Sequence, residues 1–462
     1  MAGLPLEPKV PISRKGIRPA KAKLCIIAVM KFRLRLFLLL LAASFSGAFA
    51  VIDTISVDVG ISVENTMPIG LVPFEQTENF EALVAKPEEV LKRDFELSGR
   101  FSVVESPKFK MVTFVRAGAK FYVTGKLEDV PGPNVKLSCF LYATQTKDLL
   151  LGESYTVLQK DVRRALHDFS DKVVKQLWGE FGVASTQIAW VSKIDGKKQI
   201  VVADYDGYNR RQLTRDTSIN TMPAWTRDND AIIYVSFRNG KAQLFERELY
   251  TGRERRLFPD KAQTFSPAVN PKTGELLFAS IQENRTMLYL GDPKTGSSRK
   301  LLFGRSSQVS PAWSPFGTEI LYTGDRGGQP QIYVMGKDAS DVRRVTFMGN
   351  YNERASWSPS GDRIVYTSMD NGKMNIYTCA IDGSDIVQLT SNAGNNEHPT
   401  WSPDGMLIAF SSDRSGSHQI YIMRRDGVGV TRITNSGDNT SPAWSWHSPE
   451  RRKQNNSQTQ GW

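Results

Sequence analysis

A 44-residue period runs through the second half of this chain. Aligned on one position, the series reads Trp225, Val269, Trp313, Trp357, Trp401 and Trp444, with steps of 44, 44, 44, 44 and 43. An apolar run recurs in the same register at Ile188, Ile232, Leu276, Ile320, Ile364 and Ile408. A third recurs from Ile200 to Ile420 and a fourth from Leu213 to Ile433. Each run is rich in Val, Ile, Tyr or Phe and is bounded by turn residues, such as Pro403-Asp404-Gly405 and the Asp-Gly pairs at 206, 382 and 426. Such runs read as strands joined by tight turns. Four short strands in a unit of 40–45 residues are the mark of a propeller blade, because a single four-stranded sheet buries its faces only against its neighbours.

The two ends of the repeat complement each other. The first unit starts directly at Gln187 without its Trp strand, and the last consists of that strand alone, Ser441–Ser445. Pro442–Ser445 is therefore expected as the innermost strand of a blade whose other three strands come from Gln187–Thr214, closing six blades into a ring without free edges. The Trp positions suit packing between blades. Val269 at one of them fits packing better than ligand stacking.

Residues 67–183 lack the period and alternate strand-like and helix-like patterns. Met67–Phe74, Lys120–Leu127, Val135–Tyr142 and Glu153–Leu158 read as strands. Pro87–Gly99 and Asp161–Gly182 read as helices, the second with an apolar face of Val162, Leu166, Phe169, Val173 and Leu177. His167 falls beside that stripe and is expected at the surface or a boundary. The fold class is thus an α/β amino-terminal domain followed by an all-β six-bladed propeller, spanning 184–449 and closed by the C-terminal strand.

The net charge of +11 suggests a nucleic-acid partner until its location is considered. Residues 1–50 carry nine of the basic residues and one acid, leaving 50 basic against 47 acidic residues beyond them. That near-neutral remainder argues against nucleic acid. Met30–Ala50 combines three positive charges, an apolar run from Leu36 to Ala43 and the small-x-small pattern Ala48-Phe49-Ala50. This is a secretory signal with cleavage after Ala50, too short to span a bilayer comfortably. Residues 1–29 form an upstream extension. Residues 450–462 form a basic tail expected to be disordered. Val51–Thr66 is β-branched and alternating; it reads equally as an edge strand of the first domain or as a free segment able to add to another protein's sheet.

No catalytic constellation emerges. The chain has no G-x-S-x-G elbow, no Walker-type loop and no G-x-G-x-x-G after a strand. Its four histidines are scattered, and its Cys residues lack metal-site spacing. No cofactor or metal is expected. An exported propeller enzyme, a polysaccharide lyase or a peptidase-like protein, is the alternative. What the repeat does offer is a rim, because the connections between blades fall on one face. Those connections present Met222, Phe265, Val309, Glu353, Arg354, Glu397 and His398, with Asn439 and Thr440 in the last of them. Apolar and charged groups around a rigid funnel suit protein recognition.

The signal segment, "PIGLVPF" at Pro68–Phe74, "VADYDGYN" at Val202–Asn209, the "SPAWSP"-type strands and the final "SPAWS" together resemble the TolB family of the bacterial Tol–Pal system. The resemblance covers Val51 to about Trp446. It implies a periplasmic, non-enzymatic and monomeric protein. It also implies binding of the peptidoglycan-associated lipoprotein Pal through one propeller face and of the inner-membrane protein TolA through the free amino-terminal segment. The role implied is outer-membrane integrity and constriction at division. By position, the TolA-binding segment is Val51, Ile52, Asp53, Thr54, Ile55, Ser56, Val57, Asp58 and Val59. The Pal-binding rim includes Ser266, Val309, Ser310, Glu397 and His398.

Overall fold

The structure is a computed structural model that describes residues 66–76, 86–282, 284–301 and 306–452. The signal segment with Ala48 and Ala50 and the segment Val51–Val59 lie outside the described residues.

The amino-terminal domain is built on strand β1 (Met67–Leu71). It lies parallel to β3 (Phe101–Glu105) on one side and β4 (Phe121–Asp129) on the other. A short β2 (Glu75–Gln76) also pairs with β4, and β5 (Asn134–Ala143) and β6 (Leu149–Leu158) continue the sheet antiparallel. Helix α1 (Pro87–Leu97) opens with Pro and two glutamates, which suit the positive end of a helix dipole. Helix α3 (Val162–Trp178) ends on Gly179 in the left-handed conformation. Val90, Leu91 and Phe95 of α1 and Leu166, Phe169 and Val173 of α3 pack on one face of the sheet. A six-residue helix, α2 (Met111–Arg116), turns Phe114 onto Val72 and Tyr122.

The propeller has six four-stranded antiparallel blades. Blades 2 to 6 have inner strands Asn220–Trp225, Thr264–Val269, Gln308–Trp313, Asn352–Trp357 and Asn396–Trp401. Blade 1 takes its inner strand, Asn439–Trp444, from the far end of the chain and pairs it with Gln187–Ile194. The complementary fragments therefore close the ring. Trp225, Trp313, Trp357, Trp401 and Trp444 are all buried in separate apolar clusters between blades, as packing residues. Removing such a ring from a packed core costs about 3–5 kcal/mol. Where Val269 replaces the indole, Phe258 stacks on Phe278 with ring centroids 4.4 Å apart in the same cluster.

Two expectations are corrected. His167 is buried, not superficial, because Asp94 and the first blade enclose it. Glu450–Arg452, placed in a disordered tail, belong to a closing helical turn. Arg451 is held there by Asp168 and Asp171 of α3, and Asp171 also accepts the backbone N–H groups of Ala184 and Ser185 at the junction of the domains. Among the described residues no helix is long and apolar enough to cross a membrane.

Candidate functional site

The repeated X-Pro-Ala-Trp segment has a backbone meaning that the strand pattern conceals. Each inner strand pairs for two residues, loses register, then pairs again: Thr221 faces Val235, but Ala224 faces Ile233. The same break follows Phe265, Val309, Glu353, Glu397 and Thr440. Two residues thus oppose one, a β-bulge, and the second is proline in all blades except the fifth, where it is Ala355. Proline is tolerated because the bulge takes it out of the hydrogen-bond ladder.

The first bulge residue is left-handed in every blade: Met222, Ser266, Ser310, Arg354, His398 and Ser441 have φ between 50° and 58°. None is glycine, and five precede proline, which disfavours compact backbone conformations. Each such residue carries strain on the order of 1–3 kcal/mol, tolerated only where the surroundings dictate it. The N–H of Arg354 donates to Thr323 Oγ1 and that of His398 to Thr367 Oγ1, both at 3.2 Å, so the preceding blade holds each bulge. All six bulge residues line a cavity of about 220 Å³ at the mouth of the bore.

The residues just before the bulges, together with the bulge residues Met222, Arg354 and His398, form the rim, and it has two halves. Met222, Phe265 and Val309 make blades 2 to 4 apolar. Blades 5 and 6 carry Glu353, Arg354, Glu397 and His398. Tyr351 donates to Glu353 at 2.9 Å. His418 lies 3.7 Å from Glu397 and 3.3 Å from Asp438. Burial raises the Glu397 carboxyl above its ordinary value; His418 opposes this and Glu353 reinforces it. Burial, with repulsion from Arg354, His418 and Lys198, holds His398 neutral, well below the ordinary histidine value. Thr440 is half-buried at the same level. Asn439 is not available there: it is 1% exposed, accepts from Trp190 Nε1 and donates to Gln419 and Ser436. Its position in a connecting segment suggested the rim; its amide is spent locking the closing strand.

A second cluster, which pattern reading did not find, lies where the domains meet. Asp94 of α1 accepts from Tyr205 at 2.9 Å and pairs with His167 Nδ1 at 2.8 Å. Asp206 is paired with Arg163, while Arg93 donates to its backbone carbonyl at 3.2 Å. The Arg163 guanidinium stands 3.8 Å from the centre of the Tyr208 ring. "DYDGYN" was the available signal, and its role is to dock the α/β domain. Gly207 is required there: at φ 90°, a Cβ would sit 2.1 Å from the Ile433 carbonyl oxygen.

Asp94, His167 and Asp206 bring three ligand atoms within 4.8 Å, spacing that could suit a metal ion. The cluster fits a cation poorly. Arg163 and Arg93 already face Asp206, and the Asp94 oxygens are engaged by His167 and Tyr205.

The cluster does predict a pH dependence. Burial opposes charge on His167, but Asp94 outweighs it, with Asp206 adding to Asp94 and Arg163 opposing; the net shift is upward. Burial also raises Asp94, offset in part by His167. A proton held more tightly when folded stabilises the chain below the ordinary histidine value of about 6.5, and this contribution fades as pH rises through the raised value. Burial pushes His398 and His447 downward, His447 to about 4. Those two withdraw stability below about pH 6.5 and contribute no slope above it. Scanning calorimetry from about pH 7 to 8.5 should show a melting temperature that declines with pH, and His167→Gln should flatten that decline.

The model of the "TolB beta propeller domain" family matches residues 174–376 and 368–450. The chain belongs to the TolB propeller family. Among curated TolB relatives, the Tol-Pal system protein TolB of Desulfosudis oleivorans is 34% identical over 153 residues, 31% of this chain and 35% of that protein. The TolB of Geobacter sulfurreducens is 38% identical over 154 residues, again 31% and 35% of the two chains. A Rickettsia canadensis TolB aligns over 216 residues at 29% identity and 48% of its length. The chain thus spans about a third to a half of the curated TolB sequences it matches. The crystal structure of TolB from Acinetobacter baumannii shares the fold, with a TM-score of 0.71 and 24% identity, covering 82% of this chain and 96% of that one.

Proposed function

We propose that this chain is a periplasmic, non-enzymatic component of a Tol–Pal envelope system. The mouth of its propeller binds the peptidoglycan-associated lipoprotein Pal. Val51–Val59 engages TolA, and the assembly serves outer-membrane integrity and constriction at division. The observation that carries the reading is the strained ring of six bulge residues beneath a rim that is apolar on one half and charged on the other, in a chain of the TolB family. Strain held at one rigid surface is what a preorganised binding site requires, since ordering is complete before the partner arrives.

Two rim substitutions on different halves test it. Val309→Asp places a carboxylate on the apolar half, and Glu397→Arg reverses charge on the other. Together they should weaken binding of the purified Pal domain about 100-fold or more in calorimetric titration, the loss typical of hot-spot residues. Unchanged affinity with an unchanged melting temperature would remove the mouth as the binding face.

A further inference from the structure

The six bulge residues at the mouth are uniform in backbone and not in charge. Met222, Ser266, Ser310 and Ser441 are uncharged, and His398 is kept neutral by burial and by Arg354. Arg354 is therefore the one cation in the lining of the 220 Å³ cavity. It also sits in the one blade where Ala355 stands in place of proline.

It brings to the mouth a guanidinium, which offers five N–H donors in a planar fork. Its Nε is buried without a hydrogen-bond partner among the described residues. The nearest carboxylate, Glu353, approaches Nε only to 3.7 Å, and the other Glu353 oxygen accepts from Tyr351. The charge has a neighbour but no bidentate acceptor. Sharing the lining with it are the hydroxyl-bearing Ser266, Ser310 and Ser441, the uncharged imidazole of His398 and the thioether of Met222. The cavity has room for about seven waters at roughly 30 Å³ each, enough for one acidic side chain.

We propose that the mouth receives an aspartate or glutamate side chain of the lipoprotein partner, with Arg354 as its counter-ion. The proposal rests on the function assigned above and adds the chemistry of the partner's tip. A carboxylate in the cavity gives the fork the paired acceptors that Glu353 does not supply, with serine hydroxyls as further donors. Glu353 and Glu397 precede the bulges on their strands and do not line the cavity. They reject a second acid and favour basic residues beside the inserted one. The partner's surface is then a single acid flanked by bases, facing a single cation flanked by acids.

The test titrates the purified Pal domain into the intact protein and into Arg354→Gln and Arg354→Glu, with melting temperatures as a check on folding. Arg354→Gln should weaken binding about 10-fold or more and Arg354→Glu about 100-fold or more, with the loss in dissociation rate. Acidic surface residues of the Pal domain are then changed singly to lysine. One such change should restore binding to Arg354→Glu and abolish binding to the unaltered protein. Tight binding by the unaltered protein that persists within twofold in Arg354→Glu, or a loss that no partner change rescues, overturns this proposal alone. Failure of the unaltered protein to bind Pal overturns the functional reading and this proposal with it.

Discussion

A chain ending at Asp438 is expected to have no cooperative unfolding transition. The deletion removes the inner strand of blade 1, leaving Gln187–Ile194, a strand with five consecutive buried residues, as an open edge. With it go the Trp444 indole, which donates to Thr186 at 2.8 Å, and Asn439, which caps the buried Trp190 indole at 2.9 Å. Ser445 and Trp446 also stop contributing to blades 1 and 2, where they meet Gln187 and Asn229. One buried Trp is worth about 3–5 kcal/mol, and net stability is about 5–15 kcal/mol. The lost strand, caps and tail together are of that size. Far-ultraviolet circular dichroism during heating would show a broad, sloping signal with dye-binding apolar surface. A sharp transition at the temperature of the whole chain would mean that the ring does not depend on its last strand.

The second large effect is expected from Asp171→Ala. Asp171 is 1% exposed, yet it accepts from two backbone N–H groups, from the Ser185 hydroxyl and from Arg451. Its removal leaves the Ala184 amide and one arm of a largely buried guanidinium without an acceptor at the junction between α3 and blade 1. Breaking a buried ion pair from one side costs about 3–5 kcal/mol. The urea midpoint should drop accordingly. Arg451→Met should cost less, because Asp171 keeps its backbone donors and the methionine retains contact with Phe181, over which the guanidinium lies at 4.6 Å. Equal losses for the two variants would show that Asp171 acts only through Arg451.

The propeller was legible because a period of 44 repeats one packing problem six times, and Trp225 to Trp444 mark its solution. The bulges were half legible. Proline before Ala-Trp signals a break in a ladder, but nothing in Ser266 or Arg354 as letters indicates a left-handed backbone; that comes from the register of the strand beside each. In the first domain, β3 and α2 escaped notice. Phe101–Glu105 is a short parallel strand, and Met111–Arg116 is too brief to show a helical period, with Val112 and Val115 facing outward. The cluster around His167 was marked only by "DYDGYN", because its members come from separate stretches of chain: Asp94 stands 73 residues from His167 and 111 from Tyr205. An isolated histidine next to an apolar stripe carries no mark of the aspartate that will meet it.

The contact between Gln187 and Ser445 joins positions 258 residues apart. Three strands of the first sheet must therefore be made, moved and kept unpaired while five complete sheets follow them. Slow, late annealing is the expected folding behaviour of so long a loop, and a holding chaperone that shields the waiting strand would raise the yield. The same arrangement acts as proofreading. A frameshift anywhere downstream strands that first partner, so an interrupted product goes to proteases instead of persisting as a ring with one sheet missing.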